Sequence, residues 1–442
     1  MSTTTAPPGP AVRSALTVPA FRRLWVAGIV SDAGDWLMFI ALPLVVLQLS
    51  GSALGTSLAF LLELVPPVAL APLIARVVDR LPHKQVMVVA MAVQALALLP
   101  LLAVRDGSDL HLVYGVIVVH ATCAAFFEPA KNALLPTLVA PAQVTSANAL
   151  VGLNNDLGRL VGGPVGGVLL AVSGIGVVAL VDVATYVVAV ALVLSLPRAV
   201  RTAPRAAAAR RGVRGRTRGR DRDRRDGILH VLSVPAIRGP VIVVLAAAVA
   251  QGLFVVLFVF FVTDVIHGSE TDVGLLRGVQ AIGAIGAGAV LGVLGARLDL
   301  LRLTLVGIVT FTVLTAVTWN AAFVTSAVPL YAVLFAAMGV PAVLFGAGLT
   351  SLLQRAADDG TRGSAFAALG LAQAVGQAIG LLAAGLLQDR LGTVPLLEVQ
   401  AGTYAVATVL ALVLLPRVTH GGGHDRRPGR GTPTSAQDVP RP

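Results

Sequence analysis

Apolar residues fill this chain in blocks of about 20 or more, the length a helix needs to cross a hydrocarbon core roughly 30 Å thick, and Pro, Gly or charge separates one block from the next. Twelve spans are predicted. They fall at 22–49, 54–78, 84–104, 110–130, 147–173 and 176–197, and again at 239–263, 272–295, 301–320, 325–352, 363–388 and 392–416. The two sets of six are related. Leu16–Arg22 reads LTVPAFR and Leu232–Arg238, 216 residues on, reads LSVPAIR, with only Thr exchanged for Ser and Phe for Ile. At the same offset Asp182 meets Glu398, and SANAL at 146–150 meets RGSAF at 362–366.

Composition sharpens the class. With 56% hydrophobic and 12% charged residues and a mean hydropathy of +0.86, the chain is too apolar for a water-soluble domain of this length. Internal repeats in long apolar chains are a mark of transporter architecture. Lys and Arg concentrate in cytoplasmic loops; placing both ends in the cytoplasm puts 29 of the 33 basic residues there, leaving Arg105 and Arg390 outside and Arg159 and Arg277 within spans. Trp25 and Trp319 stand near span ends, where interfacial rings are expected. The domains follow: a cytoplasmic segment 1–20, a six-helix bundle 21–197, an Arg-rich cytoplasmic linker 198–238, a second six-helix bundle 239–416, and a disordered cytoplasmic tail 417–442. The first 20 residues lack a signal-peptide core and cleavage site.

The net charge of +11 comes largely from that linker, which holds 13 arginines. It reads as a disordered segment against anionic headgroups. No aromatic residue interrupts the run for base stacking, so nucleic acid is not an expected partner. The single cysteine, Cys123, excludes a disulfide framework. No GxxxxGK, HExxH, CxxC or GxSxG string occurs, so an enzyme, a metal site and a cofactor are not expected, and ion coupling is the remaining energy source.

Ionisable residues inside spans are the candidate chemistry, since burying a charge in lipid is costly and such groups face a cavity or a partner. The first span carries Asp32 and Asp35, three residues apart on one face; Asp35 is the leading proton-linked acid, with Asp32 and Glu63 as second choices. Asp35 also has a structural reading, as a cap or a hydrogen bond to a neighbouring helix. Glu63 precedes Pro66-Pro67, which are expected to kink its span. Glu128 and Lys131 read as a helix-end ion pair, and Asp156 with Arg159 as an internal one. Arg277 has no acidic neighbour in its own helix; it either snorkels to the outer interface or attracts an anionic substrate group. Asp182 and Glu398 read as solvated helix-end acids. Glycines four apart at Gly158 and Gly162, Gly288 and Gly292, and Gly376 and Gly380 allow close helix approach.

The segment Ala75-Arg76-Val77-Val78-Asp79-Arg80-Leu81-Pro82-His83-Lys84 resembles the signature loop of the major facilitator superfamily, with Asp79, Arg80 and Lys84 matching by position and Ala75, Pro82 and His83 departing. Its counterpart, Gly292 to Arg302, keeps Gly292 and Arg297 but has Ala296 in place of the acid. FRRLW at 21–25, GDWLMFIALPL at 34–44, FFEPAKNALLPTLV at 126–139, SANAL and GPVGG at 163–167 resemble the macrolide-efflux and enterobactin-exporter branch. Gly158, Gly162, Gly163, Pro164, Gly166 and Gly167 resemble an antiporter motif, one residue short because only Val165 separates the Gly-Pro and Gly-Gly pairs.

The resemblance implies an all-α membrane protein of twelve helices in two six-helix bundles. It implies a cytoplasmic latch at Asp79, Arg80 and Lys84, a central cavity lined by the first span of each repeat, and glycine-rich spans five, eight and eleven between the halves. The expected activity is proton-coupled efflux of a small amphipathic or hydrophobic compound such as a drug, by a monomer in contact with membrane lipids in a bacterial plasma membrane. Two alternatives remain open: an exporter of a siderophore or lipid-like molecule, and a non-transporting sensor or scaffold that uses the Arg-rich linker.

Overall fold

The computed structural model describes residues 15–197, 227, 231–294, 298–358 and 360–420. Its long helices are α1 (Pro19–Ser50), α2 (Ala53–Ala69), α3 (Ala71–Arg80), α4 (His83–Leu98), α5 (Leu110–Leu134), α6 (Val144–Leu194), α7 (Pro235–Phe260), α8 (Glu270–Leu294), α9 (Leu300–Asn320), α10 (Val328–Ala356), α11 (Arg362–Leu391) and α12 (Thr393–His420). Among the described residues, ten helical segments are long and apolar enough to cross a membrane, and the bent pair α2–α3 makes an eleventh. One of the ten, α6, has 51 residues, or about 77 Å at 1.5 Å per residue, which is more than two crossings. Gly174, at φ 73° and ψ 177°, breaks it into two spans through a backbone shape that side chains disfavour, and the total becomes the expected twelve.

Local chemistry explains the element starts. In each duplicated string a valine is extended (Val18, Val234) and the next residue, Pro19 or Pro235, opens the helix, where its missing N–H leaves no hydrogen bond unmade. The first helix of the second half thus begins at Pro235, four residues before the expected bundle start at 239. Residues 198–226 and 228–230 of the expected linker, Ala296 and Arg297, and the tail from 421 lie outside the described residues. The bend in the second span is 55° and sits between α2 and α3 at Leu70, not at Pro66-Pro67. Pro72 is the nearby cause, because it has no N–H to donate to Val68.

Each half packs around its first helix. In residues 19–197, α1 lies along both spans of α6, and α4 packs on α5 and α6; in residues 235–420, α7 lies between α11 and α12 while α9 and α8 pack on α10. The halves meet along α6–α8 and α2–α11. That meeting is one-sided. A Cβ placed on Gly163 would stand 3.0 Å from the Gly274 carbonyl, and one on Gly167 would stand 3.1 Å from Thr271 Cα; Gly385 of α11 is pressed against Ser57 and Leu54 of α2. At the other end, nothing lies within 4 Å of such an atom on Gly152, Gly288 or Gly292. The halves are therefore closed at the end holding Ser50 and Glu270 and splayed at the end holding Arg80 and Leu294. The expected close approach at Gly288 and Gly292 is absent in this conformer.

Candidate functional site

The polar centre of the first half forms where α1, α4, α5 and the second limb of α6 converge. Tyr186 donates its hydroxyl proton to Asp35 Oδ1. Having one proton to give, Tyr186 can only accept from its other neighbours. Gln94 Nε2 donates to its oxygen at 2.9 Å, and His120 Nε2 lies 2.7 Å from it, so Nε2 carries the hydrogen. The same His120 nitrogen is 3.4 Å from Asp35 Oδ1. Gln94, His120 and Tyr186 are buried. The Asp35 side chain stays one-third exposed on a cleft that Glu63, Phe39, Leu42 and Ile117 also line. The fixed donor set thus holds one side of the Asp35 carboxyl, and the cleft lies open on the other.

Asp182 corrects the expectation of a solvated helix-end acid: it has no exposed surface. Thr185 donates to its Oδ1 at 2.9 Å, and its Oδ2 has no partner among the described residues. Gly34 makes this possible, because a Cβ there would run into Asp182 Oδ1 and the Thr185 hydroxyl. A glycine next to Asp35 in sequence thus brings a second carboxyl into the α1–α6 seam. Its repeat partner, Glu398, is exposed and accepts from Asn320 at 3.0 Å.

Asp32 faces a different neighbour. Lys131, buried on α5, reaches it at 4.0 Å and Glu128 at 2.5 Å. The lysine ties α1 to the end of α5 in a three-charge cluster rather than serving only its own helix. Asp156 and Arg159 form the expected ion pair, at 2.8 Å. At the other end of the span pair, Lys84 Nζ donates to the Leu194 and Leu196 carbonyls at 2.8 and 2.6 Å, closing the C-terminal end of α6. Asp79 and Arg80 are exposed; neither makes a hydrogen bond or ion pair with a described residue, and all three expected latch residues stay within the first half in this conformer.

The glycine motif splits into two faces. Gly158, Gly162 and Gly166 press on α1 at Asp32, Ala33 and Leu37 within the first half, whereas Gly163, Pro164 and Gly167 press on α8 of the second. Gly376 and Gly380 pack on α7 of their own half, a correction to the expectation that such glycines lie between halves.

Arg277 is also corrected. It does not snorkel to an interface; it is 7% exposed and sits between the halves. Its guanidinium lies 4.9 Å from the ring centre of Phe254, 5.7 Å from Phe39, 5.9 Å from Trp36 and 6.0 Å from Phe258. Gln280 Oε1 accepts from it at 3.3 Å, and from Arg159 at 3.3 Å as well. Trp319 is likewise no interfacial ring: it is buried, donates to Gln400 at 2.8 Å, and packs edge-on against Phe261.

Sequence reasoning overlooked Gln94, His120, Tyr186 and Gln280. Gln94, His120 and Gln280 had a readable signal, being isolated polar residues in strongly apolar spans. Tyr186 had none, because its role depends on which helices lie opposite.

A family model described as Major Facilitator Superfamily matches residues 24–264 and again 240–441. The chain is similar to the multidrug efflux pump Tap of Mycolicibacterium fortuitum, 31% identical over 156 residues, 34% of this chain and 38% of the relative. It is also similar to macrolide efflux protein A of Streptococcus pyogenes, 27% identical over 171 residues, 38% and 42% of the two chains. The matches thus span about two fifths of the length of these curated relatives. Among solved structures, a bacterial homologue of the iron transporter ferroportin in its inward-facing state shares the fold, with TM-score 0.66 and 18% identity over 90% of this chain and 99% of that one.

Proposed function

The chain belongs to the major facilitator superfamily and is a multi-pass membrane transporter, and we propose that it exports a small amphipathic or hydrophobic compound in exchange for protons, by alternating access. The observation that carries this reading is the Asp35 site. A carboxyl held by Tyr186 beside His120, yet open to the cleft that Glu63 shares, is suited to load a proton from one side of the membrane and release it to the other. The efflux direction draws on the two efflux proteins that the chain resembles. The distribution of Lys and Arg assigns the Arg80 end to the cytoplasm, so the splayed end faces inward and this conformer is the one that would load cargo. Asp32, fixed by Lys131, serves in this reading as a structural anchor, and Asp35 with Glu63 as the coupling pair.

The test is flux in proteoliposomes carrying an amphipathic dye under an imposed pH gradient. Asp35→Asn should reduce gradient-driven dye movement to the rate of protein-free vesicles, with the variant still monodisperse and inserted. Wild-type flux in the variant would remove Asp35 from the mechanism and the proton reading with it.

A further inference from the structure

We propose that the space around Arg277 receives the anionic group of the cargo, so that the transported compound is an amphipathic monoanion, with its acidic group on Arg277 and Arg159 and its apolar body among the rings of Trp36, Phe39, Phe254 and Phe258. The inference rests on the transport reading above and names its substrate class.

The argument begins with charge balance. The buried Lys131 has Asp32 and Glu128, and the half-buried Arg159 has Asp156. Arg277 is buried too, yet no carboxylate lies within 4 Å of it among the described residues. Four ring faces and one amide oxygen attract the guanidinium but leave its charge standing. A second guanidinium, Arg159, converges on the same Gln280 oxygen and the same Trp36 ring, at 5.6 Å, and its Nε has no hydrogen-bond partner among the described residues. Two like charges are thus held around one neutral acceptor with a single carboxylate between them. A monoanion would complete that balance and take up guanidinium donors, which match carboxylate or sulfonate geometry.

Position favours cargo over scaffold. Trp36 and Phe39 lie midway along α1, Phe254 and Phe258 lie well along α7, and the two helices open the two repeats. Arg159 belongs to one half and Arg277 to the other, so a ligand bridging them sits where substrates bind in repeat-built transporters, at mid-membrane between the halves. The cleft beside Arg277 continues along Pro43, Phe60 and Val259, an apolar path for the rest of the molecule.

Binding to the purified full-length protein in nanodiscs tests this with three probes of one shape: 2-naphthylmethanesulfonate, 2-naphthylmethanol and 2-naphthylmethylammonium. Wild type should bind the sulfonate at least about tenfold tighter than the alcohol, or about 1.4 kcal/mol, and the ammonium weakest. Arg277→Gln should erase that preference while holding the alcohol's affinity. Arg277→Lys, which keeps the charge but not the planar fork, should retain part of it and serves if the glutamine variant does not fold. Equal affinities, tighter ammonium binding, no measurable sulfonate binding, or an unchanged preference in either variant overturns the proposal. A preserved sulfonate preference without pH-driven flux in wild type would defeat proton coupling alone, and pH-driven flux of neutral dye without the preference would defeat the anion site alone.

Discussion

The two halves of this transporter make the same hydrogen bond with different chemistry. In the first, Tyr186 donates to Asp35; in the second, Tyr404 donates to Gln251 at 3.2 Å, and Gln251 stands 216 residues after Asp35, at the offset of the duplicated strings. Both bonds join the first helix of a half to its last span. The repeat has kept the tie and changed the acceptor from a group that titrates to one that does not. Around Asp35 stand His120, Glu63 and Asp182; around Gln251 and Tyr404 the neighbours are Phe311 and Thr312. The hydrogen bond is therefore an architectural element of each half, and a titratable acceptor is found in one copy only. The second half instead gathers Phe254, Phe258, Phe261, Trp319 and Phe335 into one cluster of buried rings in tilted and edge-on contact.

The sharpest way to break this asymmetry is to move the acid. The double variant Asp35→Asn with Gln251→Asp should show no recovery of pH-driven flux in proteoliposomes, because position 251 lacks a histidine partner; recovery would make the halves interchangeable. Next in size, Lys131→Met leaves Asp32 and Glu128 facing each other without a cation, a loss of about 3–5 kcal/mol for a broken buried pair, read as a fall in thermal unfolding temperature. Gly274→Ala should come third. Its methyl meets the Gly163 carbonyl, so cysteine cross-links between α6 and α8 at the closed end should form more slowly, whereas Gly288→Ala, with open space around it, should leave them unchanged. The smallest effect separates the two tyrosines. Tyr186→Phe removes a bond to a carboxylate, about 1.5–3 kcal/mol, and Tyr404→Phe one to an amide, about 0.5–1.5 kcal/mol. The first should slow pH-driven flux about tenfold and the second by less than about twofold.

Much of this was legible in the chain. Twelve spans, the duplication, and the charges that avoid lipid follow from single-residue energetics, since each apolar block must cover about 30 Å of hydrocarbon and each buried charge needs a reason. Asp35 and Glu63 were singled out on those grounds, and the Asp156–Arg159 pair because residues three apart on a helix are neighbours, although Asp32 and Asp35, at the same spacing, turn to different partners. Where such reasoning failed, the partner lay on another helix. Asp182 looked like a helix-end acid until Gly34 allowed it into the α1–α6 seam, and Arg277 looked free to snorkel until rings from α1 and α7 closed over it.

The glycine motif shows the same division. Sequence spacing determined that small residues line α6 on two faces one position apart, a local property of a helix with 3.6 residues per turn. Only the packing decided that Gly158, Gly162 and Gly166 seat α1 while Gly163 and Gly167 seat α8, and so which face holds a half together and which lets the halves close. Membrane insertion is decided residue by residue against the lipid, and the sequence by itself is sufficient for it. Pairing of charges and helix faces is decided by contacts between segments far apart in the chain, and those exist only once the two bundles have formed.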